Sequence, residues 1–183
     1  MKITHTDLQG VVVVETSPYI DHRGAFACLY DQRDLEAAIG GRRIVQINHS
    51  RTSAVGTVRG MHFQYPPHAE IKMVRCLRGR VWDVAVDLRA GSSTFLRWHA
   101  LELAPDNARM LVVPEGCAHG FQVLEPESEL LYLHTALYAP EAESGVSCND
   151  SRLGIAWPLP VEGLSLRDLG FPPLDVNFSG IAA

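Results

Sequence analysis

The stretch "LRGRVWDVAVDLR", residues 77–89, decides what kind of fold this chain can adopt. From Val81 onward it alternates. Trp82, Val84, Val86 and Leu88 fall on one side of an extended chain, and Val81, Asp83, Ala85 and Asp87 on the other. A period of two, carried by valine and tryptophan, is a strand signal. The two aspartates on one side point to a sheet surface that meets water or a polar site. Gly79 just ahead marks a tight turn, which predicts a hairpin with the residues before it.

Working outward, the same grammar repeats. "GVVVVE" (10–15), "GAFACLYD" (24–31), "RIVQINHS" (43–50), "VRGMHFQYPP" (58–67), "FLRWHALELA" (95–104), "ARMLVVP" (108–114) and "SELLYLHTALY" (128–138) all read as strands. "RDLEAAIG" (33–40) is the one strong short helix, built of good helix formers and ended by glycine. From 139 to 183 proline, glycine, aspartate and serine dominate, and an irregular segment with short helical turns, wrapped on the body, is expected. Many short strands with turn signals between them predict a mainly β single domain over 1–183, a sandwich or barrel.

The 183 residues, 46% hydrophobic and 20% charged, can bury a core without disulfides or a structural metal. A net charge of −5 argues against a general nucleic-acid surface, although a few gathered arginines could still hold an anion. Cys28, Cys76, Cys117 and Cys148 are isolated, with no zinc spacing, and read as free thiols of a reducing cytosol. "MKITHTDLQG" lacks the apolar region of a signal peptide, and "VVVV" (11–14) is too short to cross a membrane. A soluble, cytoplasmic protein with no membrane partner is expected.

Polar residues stand where a core strand would carry leucine. In "VRGMHFQYPP", alternation puts Arg59, Met61 and Phe63 on one face and Gly60, His62 and Gln64 on the other. In "PEGCAHGFQV" (114–123), Pro114 and Gly116 make a turn and His119 begins the next strand. This pair of motifs resembles the cupin superfamily, which implies a double-stranded β-helix, or jelly-roll, barrel. Metal-binding cupins offer H-x-H in the first motif; here Gln64 takes the second place. A glutamine amide is a poor transition-metal ligand beside imidazole, and Lys72 so close to Glu70 disfavours a cation. A metal-dependent oxygenase or isomerase using His62, Glu70 and His119 is therefore the alternative reading, with a non-catalytic sugar-binding barrel as another.

A fuller resemblance covers nearly the whole chain. "DHRGAF" (21–26), "VQINHSRT" (45–52), "RGMHFQYP" (59–66), "KMVRCLRGRVWDVAVDLRAGSSTF" (72–95), "PEGCAHGF" (114–121), "ELLY" (129–132), "CNDSRLGIAWP" (148–158) and "LSLRD" (164–168) occur in this order. Together they resemble the deoxysugar epimerase family typified by dTDP-4-dehydrorhamnose 3,5-epimerase. The resemblance implies a cupin-type jelly roll, usually a homodimer, working without metal or cofactor. The implied substrate is a nucleotide-linked 4-keto-6-deoxyhexose, inverted at carbon 3, carbon 5 or both. The implied catalytic residues are His62 as base, Asp168 orienting it, Lys72 beside the keto oxygen and Tyr132 across the sugar. Arg23 and Arg59 are expected at the diphosphate, and Gln46, Asn48 and His119 around the ligand. Phe26 is expected to hold the nucleotide from an N-terminal segment that reaches the partner subunit.

The chemistry accounts for these types. Carbons 3 and 5 flank the carbonyl, so their protons are acidified, and a neutral imidazole can accept one. A carboxylate fixes the imidazole tautomer, an ammonium meets the developing enolate charge, and a phenol returns a proton from the other face. His5, His22, His68, His99 and His134 read as ordinary core or surface groups, His49 as structural, and Asp83 and Asp87 as supports for strand ends or members of a salt-bridged face. Three departures stand out: Cys28 where the family carries an acid near the nucleotide, "EI" (70–71) for Q-G before the lysine, and Tyr132-Leu133-His134 for Y-K.

Overall fold

The computed structural model describes residues 1–182. Along the chain run β1 (Lys2–His5), β2 (Val12–Glu15), β3 (Tyr19–Asp21), β4 (Gly24–Phe26) and helix α1 (Gln32–Ile39). Then come β5 (Gln46–Thr52), β6 (Val58–Gln64), β7 (Lys72–Arg78), β8 (Val81–Asp87), β9 (Trp98–Leu103), β10 (Arg109–Val113), β11 (Cys117–Val123) and β12 (Ser128–His134). β13 (Glu143–Gly145) and the single-turn helix α2 (Leu166–Leu169) complete the elements.

The topology is a rolled ribbon. β5 pairs with β12, β6 with β11, β7 with β10 and β8 with β9, all antiparallel. Successive pairs of this long hairpin fall in opposite sheets, giving β5-β12-β7-β10 against β6-β11-β8-β9. That alternation is the cupin-type jelly roll. β2 and β1 extend the first sheet beyond β10, and β13 extends the second beyond β6.

Each sheet buries its inner face, and parts of each outer face are covered as well. Between the sheets lie Val74, Cys76, Val81, Ala85, Leu111, Phe121 and Leu130. Outside the first sheet, Leu35 and Ile39 of α1 pack on Met73, Met110, Val112 and Leu133. The helix is capped as its sequence requires: the Asp31 side chain accepts from Arg33 N–H, and Gly40 takes φ 59°. Outside the second sheet, Val146, Cys148, Leu153 and Ile181 of the C-terminal segment seal Val84, Val86 and Leu88. The expected irregular wrap is present, and Trp82, Trp98 and Trp157 pack within it.

One expectation is corrected. The turn at Gly79 does not make a hydrogen-bonded hairpin. β7 belongs to the first sheet and β8 to the second, so the turn carries the chain between layers. Gly79 has φ 73°, and a Cβ there would stand 2.9 Å from Ser128 Cα. The aspartate-bearing face of β8 meets a polar interior, the second of the two settings expected for it. It points between the sheets, and Asp83 and Asp87 are both 0% exposed. Strand bounds also differ: of 24–31 only Gly24–Phe26 is strand, and β12 stops at His134.

Asp87 has an acid signature. Burial alone would raise its pKa, but Arg89, Ser92 and Thr94 donate to the carboxylate and hold it at about 2, against an ordinary 3.8. The folded state therefore favours the ionised form, and this stability is fully present above about pH 4 and lost as pH falls through about 2. The shift corresponds to about 2 kcal/mol at ~1.36 kcal/mol per unit. Urea unfolding across this range should show that Asp87→Asn loses about 2 kcal/mol near neutrality and has correspondingly less left to lose in acid.

Candidate active site

The site forms between the two sheets, and each sheet brings a different chemical function. β6 of the second sheet carries Arg59 and His62, which simple alternation put on opposite faces. In the structure both line one cavity of about 380 Å³. The cause is a bulge: His119 pairs with His62 and Phe121 with Arg59, so three steps along β6 answer two along β11. Gly60 makes it possible. At φ 134°, an added Cβ would stand 2.5 Å from Gly120 Cα.

His62 is joined to Asp168, which lies 106 residues further along the chain. Its Nε2 is 2.7 Å from Asp168 Oδ1. The Ser165 side chain caps α2 by accepting from Asp168 N–H at 3.1 Å, which fixes the carboxylate on the first turn. An ionised carboxylate only accepts, so Nε2 carries the proton and Nδ1 is left with its lone pair. Arg167 Nη2 stands 3.1 Å from the same Nε2. A guanidinium only donates, so Asp168 is the acceptor for Nε2–H and Arg167 acts through its positive field. Arg167 is itself anchored to Glu143 Oε2 at 2.7 Å. Burial pushes the His62 pKa down; Asp168 opposes this, and the Arg167 and Lys72 cations add to it. The net direction is below the ordinary imidazole value of 6.5, which keeps the ring neutral near pH 7.

The first sheet supplies the opposing wall. Strand register sets Gln46, His134 and Lys72 abreast on β5, β12 and β7, and Asn48, Tyr132 and Val74 abreast in the next row but one. Tyr132, Lys72 and Asn48 line the cavity with His62, Arg59 and His119. Gln46 lines an adjoining cavity that also contains His62 and Lys72. The Tyr132 hydroxyl lies 3.2 Å from Ser50 Oγ, and burial drives its pKa well up, so the phenol holds its proton.

His119 is paired on the inside with Asp83, Nε2 to Oδ1 at 2.9 Å. Asp83 is thus part of the polar interior, not a plain strand support. Gln64 is structural: its amide donates to His68 O at 2.8 Å and accepts from Ala139 N–H at 2.7 Å. The three side chains of the metal reading are engaged separately. His62 meets Asp168, His119 meets Asp83, and Glu70 meets His134 and Lys72.

Arg23 and Phe26 are not brought to this site. They lie on the β3–β4 hairpin with Tyr19 and line a separate cavity there. Arg23 Nη2 donates to Asp21 Oδ2 at 2.6 Å. Cys28, just beyond, is exposed, and its thiol donates to Tyr30 O at 3.2 Å. Sequence reasoning missed Asp83, Arg167, Ser50 and the pairing of Glu70 with His134. Only Arg167, adjacent to Asp168, and His134, two residues from Tyr132 and so on its face of the strand, carried a local signal.

A jelly roll whose interior sets a histidine–aspartate dyad against a lysine and a phenol is a cupin-type barrel lined with groups of the kinds that acid–base chemistry uses. The sequence profile of the dTDP-4-dehydrorhamnose 3,5-epimerase family matches residues 5–175. The chain belongs to that family, and it is an isomerase of the racemase and epimerase class. It is 41% identical over 177 residues to the dTDP-4-dehydrorhamnose 3,5-epimerase of Salmonella typhimurium, with 96% of each chain covered. A dTDP-6-deoxy-D-glucose-3,5-epimerase of Legionella pneumophila, solved with dTDP-4-keto-L-rhamnose, superposes with TM-score 0.91 at 34% identity, covering 100% of this chain and 98% of that one. ChmJ, a 3'-monoepimerase of Streptomyces bikiniensis solved with dTDP-quinovose, gives TM-score 0.85 at 32% identity, covering 92% and 85%.

Proposed function

We propose that this chain inverts carbon 3, carbon 5 or both of a dTDP-linked 4-keto-6-deoxyhexose by removing a proton and returning one through an enolate. The observation that carries this reading is the two-sided cavity. A neutral, carboxylate-tethered His62 projects from one sheet, and a protonated Tyr132 from the other. Epimerisation needs a base on one face of the sugar and an acid on the opposite face. His62 takes the proton alpha to the carbonyl, and Asp168 stabilises the imidazolium that forms. Lys72 faces the charge developing on the keto oxygen. Tyr132 delivers a proton from the far side; the His62 imidazolium then gives its proton to solvent and the Tyr132 phenolate takes one back, so both groups are restored with no net change in protons. Arg59 holds the diphosphate, with Gln46, Asn48 and His119 around the sugar. The ligands of the Legionella and Streptomyces proteins are dTDP-linked, which supports thymidine diphosphate as the carrier.

Arg23 and Phe26 belong in this reading to a second copy's site. The support is the exposure of the β3–β4 hairpin, where Tyr19 is 69% and Phe26 78% exposed, a poor arrangement for a monomer and a suitable one for an arm laid across a homodimer. No helix among the described residues is long and apolar enough to cross a membrane. A cytoplasmic setting is supported by the buried Cys76, Cys117 and Cys148, all free thiols.

The test is proton NMR in deuterated buffer with a panel of nucleotide-linked 4-keto-6-deoxysugars. The expected result is solvent deuterium at the inverted carbon of a dTDP sugar; absence of both exchange and inversion with every sugar refutes the reading. The acid limb of kcat/KM follows from the direction of the His62 shift. Only neutral His62 accepts a proton, so activity falls with acid, with a midpoint below 6.5. A midpoint above that value would contradict the burial argument.

A further inference from the structure

Two departures from the family pattern, Glu70 and His134, meet in the structure, although they are 64 residues apart. His134 Nδ1 is 2.6 Å from Glu70 Oε2, and Lys72 Nζ is 3.3 Å from Glu70 Oε1. All three are sunk into the site wall, with side chains 9%, 11% and 13% exposed for His134, Glu70 and Lys72. The contacts continue on the other side of the imidazole. Asn48 Nδ2 stands 3.4 Å from His134 Nε2, Gln46 Nε2 donates to Asn48 Oδ1 at 3.1 Å, and Tyr138 N–H donates to Gln46 Oε1 at 3.0 Å.

The donors and acceptors agree along the whole series. Glu70 is ionised: burial alone would raise its pKa, but the hydrogen bond from His134 and the charge of Lys72 more than offset this and hold it below the ordinary carboxylate range. An ionised Glu70 only accepts, so His134 donates from Nδ1 and keeps its Nε2 lone pair for Asn48. The imidazole also lies near-parallel to Tyr132, with ring centroids 6.1 Å apart and 16° between planes. A lysine has a long, flexible stem, so an ammonium in a cavity needs an anchor to hold one position. Here the anchor is a carboxylate, itself held at its other oxygen by a ring that the strand register fixes beside Lys72.

We propose that Glu70 and His134 act as one positioning unit that sets the Lys72 ammonium against the substrate carbonyl and ties it to the sugar-facing amides of Asn48 and Gln46. This rests on the epimerase reading for the role of Lys72. Neither residue touches substrate; both act through Lys72. The unit explains why Glu70 is tolerated beside a group that must meet negative charge. One Glu70 oxygen is taken up by His134, and the other orients the ammonium without covering it.

The test is a double-variant cycle on the full-length protein, read in kcat, KM, dTDP affinity and crystal structures. Glu70→Ala is expected to lower kcat by about 10²-fold, the scale of a group misplaced by ~1 Å, while dTDP affinity changes less than about twofold. Glu70→Gln keeps an oxygen for Lys72 and is expected to stay within a few fold of the parent. His134→Ala should lose about tenfold, and the double variant should be no worse than Glu70→Ala, since both act through one ammonium. His134→Phe, which keeps the ring volume but can neither donate to Glu70 nor accept from Asn48, takes the place of His134→Ala in the cycle if that variant does not fold. A double loss equal to the product of the singles, or equal losses in Glu70→Gln and Glu70→Ala, overturns the proposal. The crystal structure of Glu70→Ala gives a readout independent of turnover: Lys72 Nζ should leave its parental position. If it stays, the proposal fails; if the parental protein does not exchange or invert any 4-keto sugar, the epimerase reading fails instead.

Discussion

His62→Ala is expected to lower turnover by about 10²–10⁴-fold, the usual contribution of a positioned general base. It should abolish solvent-deuterium uptake together with inversion, because without proton removal no enolate forms. The reason lies in the dyad: Asp168 Oδ1 holds Nε2 at 2.7 Å, and burial keeps the ring neutral, so one nitrogen is committed to the carboxylate and the other is free to accept. Asp168→Asn should be less severe. It keeps the position but lets the amide donate, which favours the wrong tautomer. Deuterium exchange that survives in His62→Ala at parental rate would show that another group is the base.

Tyr132→Phe should separate two events that His62→Ala removes together. His62 still takes a proton and can return one to the face it came from, so exchange continues with retained configuration. Inversion should fall by about 10²-fold or more, since the acid on the opposite wall is gone. The buried phenol, its pKa driven up and its oxygen 3.2 Å from Ser50 Oγ, starts each turnover protonated. The measurement is isotope content and stereochemistry of recovered sugar. Tyr132→Phe inverting at the parental rate would remove Tyr132 from the role of acid and turn attention to His119, which Asp83 holds in the same cavity.

Much of this was legible in the chain because it is written in short range. The period of two in β8 gave the strand and both its faces. The 33–40 segment gave α1 with its terminal Gly40, and glycine and proline marked the turns. The members of the expected catalytic set could be named since each sits in a local motif: His62 in "RGMHFQYP", Asp168 in "LSLRD", Tyr132 in "ELLY" and Lys72 at the head of its strand.

What the chain did not show locally are relations between distant residues. Alternation misplaced Arg59 relative to His62, because a bulge is defined by the partner strand and by the close approach of Gly60 to Gly120. The Gly79 turn looked like a hairpin, because a turn residue fixes the reversal of the chain and not the sheet in which the next strand pairs. For the face of Asp83 and Asp87 water and a polar site both stayed open, because polarity alone does not show whether a partner such as His119 or Arg89 is folded against it. Glu70 and His134 looked unrelated across 64 residues. The sequence by itself determined the strands, the helix and the identity of the expected catalytic residues, all set by patterns a few residues long. Only the tertiary structure decided which wall of the cavity each occupies and which carboxylate holds which cation, because those contacts exist only once β5 through β12 have paired.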